Sequence, residues 1–165
     1  MVRATWLLAC LCWSSVCAGA DGGILDQHQA RAERYFRAVY GCQPSVIDEL
    51  AAGDIVITYP IFQEIFGKSA IRGREAVKAF AAHFCSKWTE GKVTIDQAIA
   101  GNDAVVLVWT FSARDSAAPT TDRHTWGGIT VLRFDAEGRI AAEIGEESTP
   151  GPMGRLTMAP DQDSG

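Results

Sequence analysis

Three kinds of feature are scarce or missing in this 165-residue chain, and each absence argues against a class of function. No run of Lys or Arg is longer than two residues, and the formal charge is -5, so nothing favours attraction of a nucleic-acid backbone. The three histidines are scattered and lack the His-x-x-x-His spacing of a helical metal site. No Gly-x-Ser-x-Gly elbow, phosphate loop or dinucleotide fingerprint occurs. We therefore expect no nucleic-acid partner, no metal and no cofactor.

The composition is that of one ordinary globular domain. Apolar residues make up 47% of the chain and charged residues 21%. A chain of this length can bury roughly two-thirds of its unfolded surface, so a hydrophobic core suffices for stability without dense cross-linking. Two large domains are excluded.

The first 20 residues have the pattern of a secretory signal peptide. Arg3 supplies a positive charge, Thr5 to Cys17 form an apolar stretch, and Ala18-Gly19-Ala20 fits the small-residue cleavage rule. An uncleaved anchor is the alternative, but the stretch falls short of the roughly 20 apolar residues of a spanning helix. We expect cleavage after Ala20, a secreted or periplasmic protein, and no stable membrane span after cleavage.

Cleavage would leave Cys42 and Cys85 as the only two cysteines. In an oxidising compartment an even pair favours one disulfide. Two buried free thiols, packed as small apolar groups, are the other reading. The sequence leaves both open.

The first half of the mature chain has mainly helical periodicity. Apolar residues recur at three and four from Ile24 to Tyr40, and a short second helix starts at Pro44 and stops at Gly53. Ile55 to Tyr59 is a β-branched strand ended by Pro60. Residues 60–73 look irregular, and helical spacing returns from Arg74 to Trp88.

The second half is predicted to be strand. Four segments with short connections indicate an antiparallel meander: Lys92 to Ala100, Ala104 to Ala113, Arg123 to Phe134 and Arg139 to Glu146. Helices followed by strands predict an α+β domain, with three helices packed on one face of a curved, mainly antiparallel sheet. We place this domain at residues 21–148 and a loose tail, rich in Pro and Gly, at 149–165.

Four segments occur in an order typical of a known superfamily: Tyr35 to Val39, Leu50 to Val56, Ile71 to Phe80 and Val131 to Ile140. From Gln27 to about Glu147 the chain resembles the nuclear-transport-factor-2-like superfamily, and more closely its SnoaL-like polyketide cyclase branch. The resemblance implies a cystatin-like conical half-barrel around one deep, mostly apolar pocket, and a homodimer through the outer sheet face. Members include isomerases, dehydratases, epoxide hydrolases, cyclases and non-catalytic binding modules, so the fold does not fix the reaction.

The resemblance also shows what this sequence lacks. Isomerase and cyclase branches carry acids at two pocket positions that are occupied here by Tyr59 and, in an ungapped register, Thr130. Proton abstraction beside a carbonyl needs a carboxylate and a donor for the enolate, which argues against that activity. Tyr35 matches a helix-one tyrosine that some isomerases use as the donor.

His124 and Glu143 are the remaining candidates for chemistry. Strand alternation puts His124 on the inward face with Thr130 and Leu132, and imidazole titrates near neutrality. Hydrophobic alternation places Glu143 outward, whereas the register of the family places it inward, and an inward Glu143 would pair with His124. Glu147 shares whichever face Glu143 has. The other two histidines, His28 and His83, are expected to be structural or exposed.

The predicted function is that of a secreted or periplasmic domain that binds a small, largely apolar molecule. We expect cofactor-independent proton transfer of cyclase, isomerase or dehydratase type, with His124 as base, Tyr35 or Tyr59 as donor, and Glu143 as partner. A non-catalytic ligand-binding or protein-interaction module of the same fold is the alternative. The expected pocket lining is Tyr59, Phe62, Phe66, Trp109, Trp126, Thr130 and Leu132.

Overall fold

The computed structural model describes residues 20–118 and 122–148. The predicted signal peptide and tail lie outside this range, except for Ala20, where the first helix begins. The elements, in chain order, are α1 (Ala20–Tyr40), α2 (Pro44–Leu50), β1 (Ala51–Thr58), α3 (Ile61–Phe66), β2 (Ile71–Arg72), α4 (Arg74–Lys87), β3 (Trp88–Ala100), β4 (Ala104–Asp115), β5 (His124–Phe134) and β6 (Ile140–Glu147).

The strands form one six-stranded sheet in the order β2-β1-β6-β5-β4-β3. All neighbours are antiparallel except β1 and β6, which run parallel. The predicted α+β class and the curved, mostly antiparallel sheet are confirmed. The parallel pairing brings the end of β1 beside the middle of β6, and the candidate site lies at this junction.

One predicted irregular segment is ordered as helix and strand. Within residues 60–73 the chain forms α3, which follows Pro60 and ends at Gly67 in the left-handed conformation, with a φ of 64°. It then adds the two-residue edge strand β2. The prediction of three helices was therefore one short, because six residues give too little periodicity to reveal α3.

A bulge in β6 explains the conflict over the orientation of Glu143. Arg133 pairs with Ala142, but the next residue, Phe134, pairs with Ile140, so Ala141 is an extra residue in the ladder. Ile140 and Glu143 are therefore both fully buried, although they lie three positions apart. Simple alternation misplaced Glu143, and the register implied by the resemblance placed it correctly.

A disulfide fixes the end of the first helix to α4. Cys42 and Cys85 are bonded, with their Cα atoms 5.8 Å apart. Cys42 lies two residues beyond the end of α1, and Cys85 lies in the last turn of α4. The bond therefore holds these two helices together over the sheet.

Candidate functional site

A cavity of about 490 Å³ lies between α3, α4, the end of α1 and the sheet. Its size is within the range of pockets that take small molecules. The lining is mostly aromatic, with Tyr40, Tyr59, Phe62, Phe66, Phe80, Phe84, Trp88 and Trp126. The other lining residues are Ile61, Ile65, His83, Lys87, His124, Thr125 and Glu147.

Glu143 lies behind this aromatic wall and binds three tyrosines. Its Oε1 accepts hydrogen bonds from Tyr40 (3.0 Å) and Tyr59 (2.9 Å), and its Oε2 accepts one from Tyr35 (3.1 Å). The Glu143 side chain is 0% exposed. Because Tyr40 and Tyr59 also line the cavity, they connect the buried carboxyl group to the cavity.

The hydrogen-bond network continues into the sheet. Tyr59 Oη lies 2.8 Å from Thr130 Oγ1, and Trp109 Nε1 donates to the same Thr130 oxygen at 2.9 Å. With an ionised Glu143, each tyrosine must donate its single proton to the carboxylate. Thr130 then donates to Tyr59, so every polar group in the buried network is satisfied.

Burial and hydrogen bonding act in opposite directions on Glu143. Burial raises the pKa of this carboxyl group above its usual value, while the hydrogen bonds from Tyr59, Tyr40 and Tyr35 oppose the increase. Burial, together with the neighbouring charge of Glu143, raises the pKa of each of these tyrosines well above the usual phenol value. The tyrosines are therefore neutral donors at physiological pH.

Gly145 makes the position of Tyr59 possible. Gly145 lies two residues after Glu143 in β6, and a Cβ atom added to it would overlap the Cε1, Cζ and hydroxyl atoms of Tyr59. Glycine in a strand interior often marks such a close approach. The ring of Tyr59 therefore lies over β6, with its hydroxyl group between Glu143 and Thr130.

Polar groups at the outer part of the cavity come from three elements. His83 and Lys87 lie one turn apart on α4, His124 begins β5, and Glu147 ends β6. His83, Lys87 and His124 are exposed, whereas Glu147 is half-buried. Burial raises the pKa of Glu147, as does nearby Glu146, and a hydrogen bond from Trp126 opposes this increase.

The sequence matches a known protein family. The family model for the SnoaL-like domain matches residues 32–143, about two-thirds of the chain. The chain belongs to the SnoaL-like family. A search of curated proteins found no significant match for this SnoaL-like domain.

Solved structures show the same fold at low sequence identity. A protein named as a SnoaL-like polyketide cyclase, from Jannaschia sp. CCS1, has a TM-score of 0.65 and 15% identity over 81% of this chain and 92% of its own. An NTF2-like protein of Burkholderia pseudomallei K96243 has a TM-score of 0.63 and 20% identity over 80% and 98%. An LEH-like epoxide hydrolase from M. tuberculosis has a TM-score of 0.62 and 17% identity over 81% and 91%.

The expected pair of His124 with Glu143 does not form in this SnoaL-like domain. Glu143 pairs laterally with Leu132, eight residues along β5 from His124, and its carboxyl oxygens bind tyrosines. A strand rises about 3.3 Å per residue, so the eight residues from His124 to Leu132 put roughly 26 Å between His124 and the position of Glu143. His124 instead packs against Trp88, with ring centroids 5.3 Å apart.

Some predicted lining residues lie in the core. Tyr59, Phe62, Phe66 and Trp126 line the cavity, but Trp109, Thr130 and Leu132 do not. The first helix covers this part of the sheet, because the rings of Phe36 and Tyr40 pack against Trp109 with centroids 5.2 and 6.3 Å away. Tyr35 is also fully buried and contacts Glu143 rather than the cavity.

Several residues of the cavity wall were not predicted from the sequence. Tyr40, Phe80, Phe84, Lys87 and Trp88 were not predicted as lining residues, although all line the cavity. The helical spacing of Phe80, Phe84 and Lys87 could have indicated that one face of α4 points at the cavity. The role of Tyr40 had no such signal, since its partner Glu143 is 103 residues away.

Within the described residues, no group of three or more His, Cys, Asp or Glu side chains is arranged to hold a metal. None of the described helices is both long and apolar enough to span a membrane.

Glu143 should make the stability of the domain depend on pH. The pKa of Glu143 is higher in the folded protein than in the unfolded chain, where it is about 4.3. The contribution of Glu143 to the free energy of unfolding is therefore fully present below the unfolded pKa. It is lost as the pH rises through the pKa of the folded state. Glu143→Gln should remove this decline, as measured by urea unfolding from pH 4 to 8.

Glu49→Gln is the matched control for the pH effect. Glu49 is exposed and pairs with Arg34, which lowers its pKa, so its contribution is lost as pH falls. Glu49→Gln should therefore change the pH dependence of the unfolding free energy only slightly, and in the opposite direction to Glu143→Gln. Identical pH slopes for wild type and Glu143→Gln would contradict the assignment.

Proposed function

We propose that this domain binds a small, largely apolar molecule in the aromatic cavity and acts on it by proton transfer without a cofactor. One observation carries the proposal: Tyr40 and Tyr59 both line the cavity and both bind the buried Glu143. Aromatic walls supply apolar contact for the ligand, and the tyrosines supply a polar end that can orient one of its oxygens.

The protonation state of Glu143 decides what the tyrosines offer a ligand. When Glu143 is ionised, Tyr40 and Tyr59 donate their protons to it and can only accept from a ligand. When Glu143 is protonated, it can donate to one tyrosine oxygen, and that tyrosine then turns its own proton to the ligand. The pair thus acts as a general acid, with the proton passing from Glu143 through tyrosine to a ligand oxygen.

A base is available at the other end of the cavity. His124 and Glu147 line it, and either can take a proton from the ligand as Glu143 supplies one through a tyrosine. The paired acid and base suit ring closure, isomerisation or dehydration. The names of two similar structures, a polyketide cyclase and an epoxide hydrolase, support chemistry of this kind.

The alternative is a non-catalytic binding module. It is favoured by the complete mutual satisfaction of the ionised Glu143 and its three tyrosines, which needs no ligand. The two functions differ in one respect: a binder should retain its ligand unchanged, whereas an enzyme should release a product whose formation Glu143→Gln abolishes.

The binding test is mass spectrometry of small molecules that copurify with the domain. Phe84→Asp puts an anion into the aromatic wall and should lower the bound fraction at least tenfold, since burying a charge is costly. Phe134→Asp is the matched control, because Phe134 is also half-buried but stacks on His28 away from the cavity. A wild-type domain with no bound molecule, and with no thermal shift on adding apolar compounds, would refute the proposal.

We also propose that the protein is secreted or periplasmic. The signal-peptide pattern of residues 1–20 supports this, as does a disulfide, which persists in oxidising compartments. N-terminal sequencing of the exported protein should give Asp21 as the first residue. A start at Met1 would refute cleavage.

A homodimer through the outer sheet face completes the proposal. The exposed side chains of Ile99 on β3, Ile129 on β5 and Ile144 on β6 support it, because monomers seldom expose several large apolar residues on one sheet. Sedimentation should give twice the monomer mass, and a monomer at micromolar concentration would refute the dimer.

A further inference from the structure

Three basic side chains surround the outer part of the aromatic cavity: His83, Lys87 and His124, here called the basic mouth. All three are exposed and come from two separate elements, α4 and β5. We infer that the molecule held in this cavity carries one carboxylate, which binds at the basic mouth while its apolar body lies among the aromatic rings. This inference rests on the proposed function, specifies its ligand class, and leaves Glu147 as the base, because a His124 that is protonated to bind the carboxylate cannot also take a proton.

Lys87 is poised to meet an anion. Its ammonium group lies over the Trp88 ring, 5.1 Å from the centroid, and Trp88 itself lines the cavity. Among the described residues Lys87 pairs with no carboxylate, whereas nearby Arg114 and Arg123 both pair with Glu90. In a chain with net charge -5, an unpaired lysine at a cavity is available to a ligand.

The helix dipole explains only part of this arrangement. A cation in the last turn of α4 is stabilised by the carbonyl end of the helix, which accounts for Lys87. The helix dipole does not account for His83, which lies one turn earlier on the cavity face of α4. It also does not account for His124, which is on β5 and packs against Trp88. Basic side chains from two elements, α4 and β5, meet at one opening of the cavity, and this is the arrangement expected of a site that binds an anion.

Glu147 is the acidic member of the lining, and it gives the inference a second test. The half-buried Glu147 accepts a hydrogen bond from Trp126, and burial raises its pKa, so a smaller fraction of it is ionised at a given pH than of an exposed carboxyl group. When ionised, Glu147 still repels a carboxylate. Removing its charge should therefore strengthen anion binding, the opposite of removing the charge of Lys87.

The test compares two probes with the same apolar body, naphthalene-2-acetate and 2-(2-naphthyl)ethanol, by titration calorimetry at pH 6.5. We expect the acid to bind about tenfold tighter than the alcohol, as for one charge-assisted contact. Lys87→Met should remove this preference by weakening the acid alone. Glu147→Gln should tighten binding of the acid, and any change in the binding of the alcohol should be much smaller.

Lys92→Met is the matched control, because Lys92 is exposed on β3 and does not line the cavity. It should change neither affinity. Alcohol binding as tight as acid binding, or equal losses in Lys87→Met and Lys92→Met, would overturn the carboxylate inference and leave the proposed function standing. If neither probe binds, the proposed function fails and this inference fails with it.

Discussion

Gly145→Ala is expected to lower the free energy of unfolding by about 3 kcal/mol and to separate Tyr59 from Glu143. A Cβ atom at this position would overlap the hydroxyl end of the Tyr59 ring, so the ring must move. Overpacking a core costs roughly 1–3 kcal/mol, and each lost hydrogen bond adds about 1 kcal/mol. Tyr59 makes two such bonds, to Glu143 and Thr130. Urea unfolding measures the loss of stability.

The same substitution at Gly23 is the control. Gly23 lies in the exposed part of α1, and a Cβ atom there would meet nothing within 4 Å. Alanine favours a helix over glycine by roughly 0.5–1 kcal/mol, so Gly23→Ala should stabilise the protein slightly. If the two variants were equally stable, Gly145 would not be the residue that makes room for Tyr59.

Loss of the Tyr59 position should also weaken the polar end of the cavity. In Gly145→Ala the displaced Tyr59 no longer passes a proton from Glu143, so any turnover should fall together with stability. Tyr59→Phe separates these effects, because it keeps the ring over Gly145 and removes only the hydroxyl group. Its loss of turnover should match that of Gly145→Ala, with a smaller loss of stability.

The sequence predicted the elements that have long, regular patterns. The four C-terminal strands and the helix from Arg74 follow clear periodicities and were placed within a few residues of their bounds. Helix α3 was missed because six residues after a proline carry too little pattern. The inward orientation of Glu143 depends on the bulge at Ala141, which simple alternation cannot reveal.

The candidate site could be predicted only in part. Aromatic residues were expected around a cavity, and Tyr59, Phe62, Phe66 and Trp126 are there. The convergence of three tyrosines on Glu143 joins residues 84 to 108 positions apart, and no local spacing encodes such contacts. His124, which strand alternation favoured as a base, lies at the opening of the cavity. Alternation indicates which face of the sheet a residue occupies, but not how far along the strand it lies.

Removing the disulfide, with Cys42→Ser and Cys85→Ser together, is expected to cost about 3–4 kcal/mol of unfolding free energy. The bond closes a loop across a sequence separation of 43 residues, and a cross-link of this span restricts the unfolded chain by roughly that amount. The double variant avoids the free thiol that either single change would leave. Thermal and urea unfolding should both report the loss.

The same variant should also bind ligand more weakly, because the disulfide lies beside the cavity wall. Tyr40 lies two residues before Cys42, Phe84 directly precedes Cys85, and their rings meet edge to face at 5.1 Å. Without the cross-link, the end of α1 and the last turn of α4 can separate, which loosens the wall that positions Tyr40 on Glu143. Reductant supplies the control: it should lower the stability of the wild type to that of the double variant and leave the variant unchanged. A wild type as stable with reductant as without it would show that packing alone, rather than the cross-link, holds Tyr40 in place.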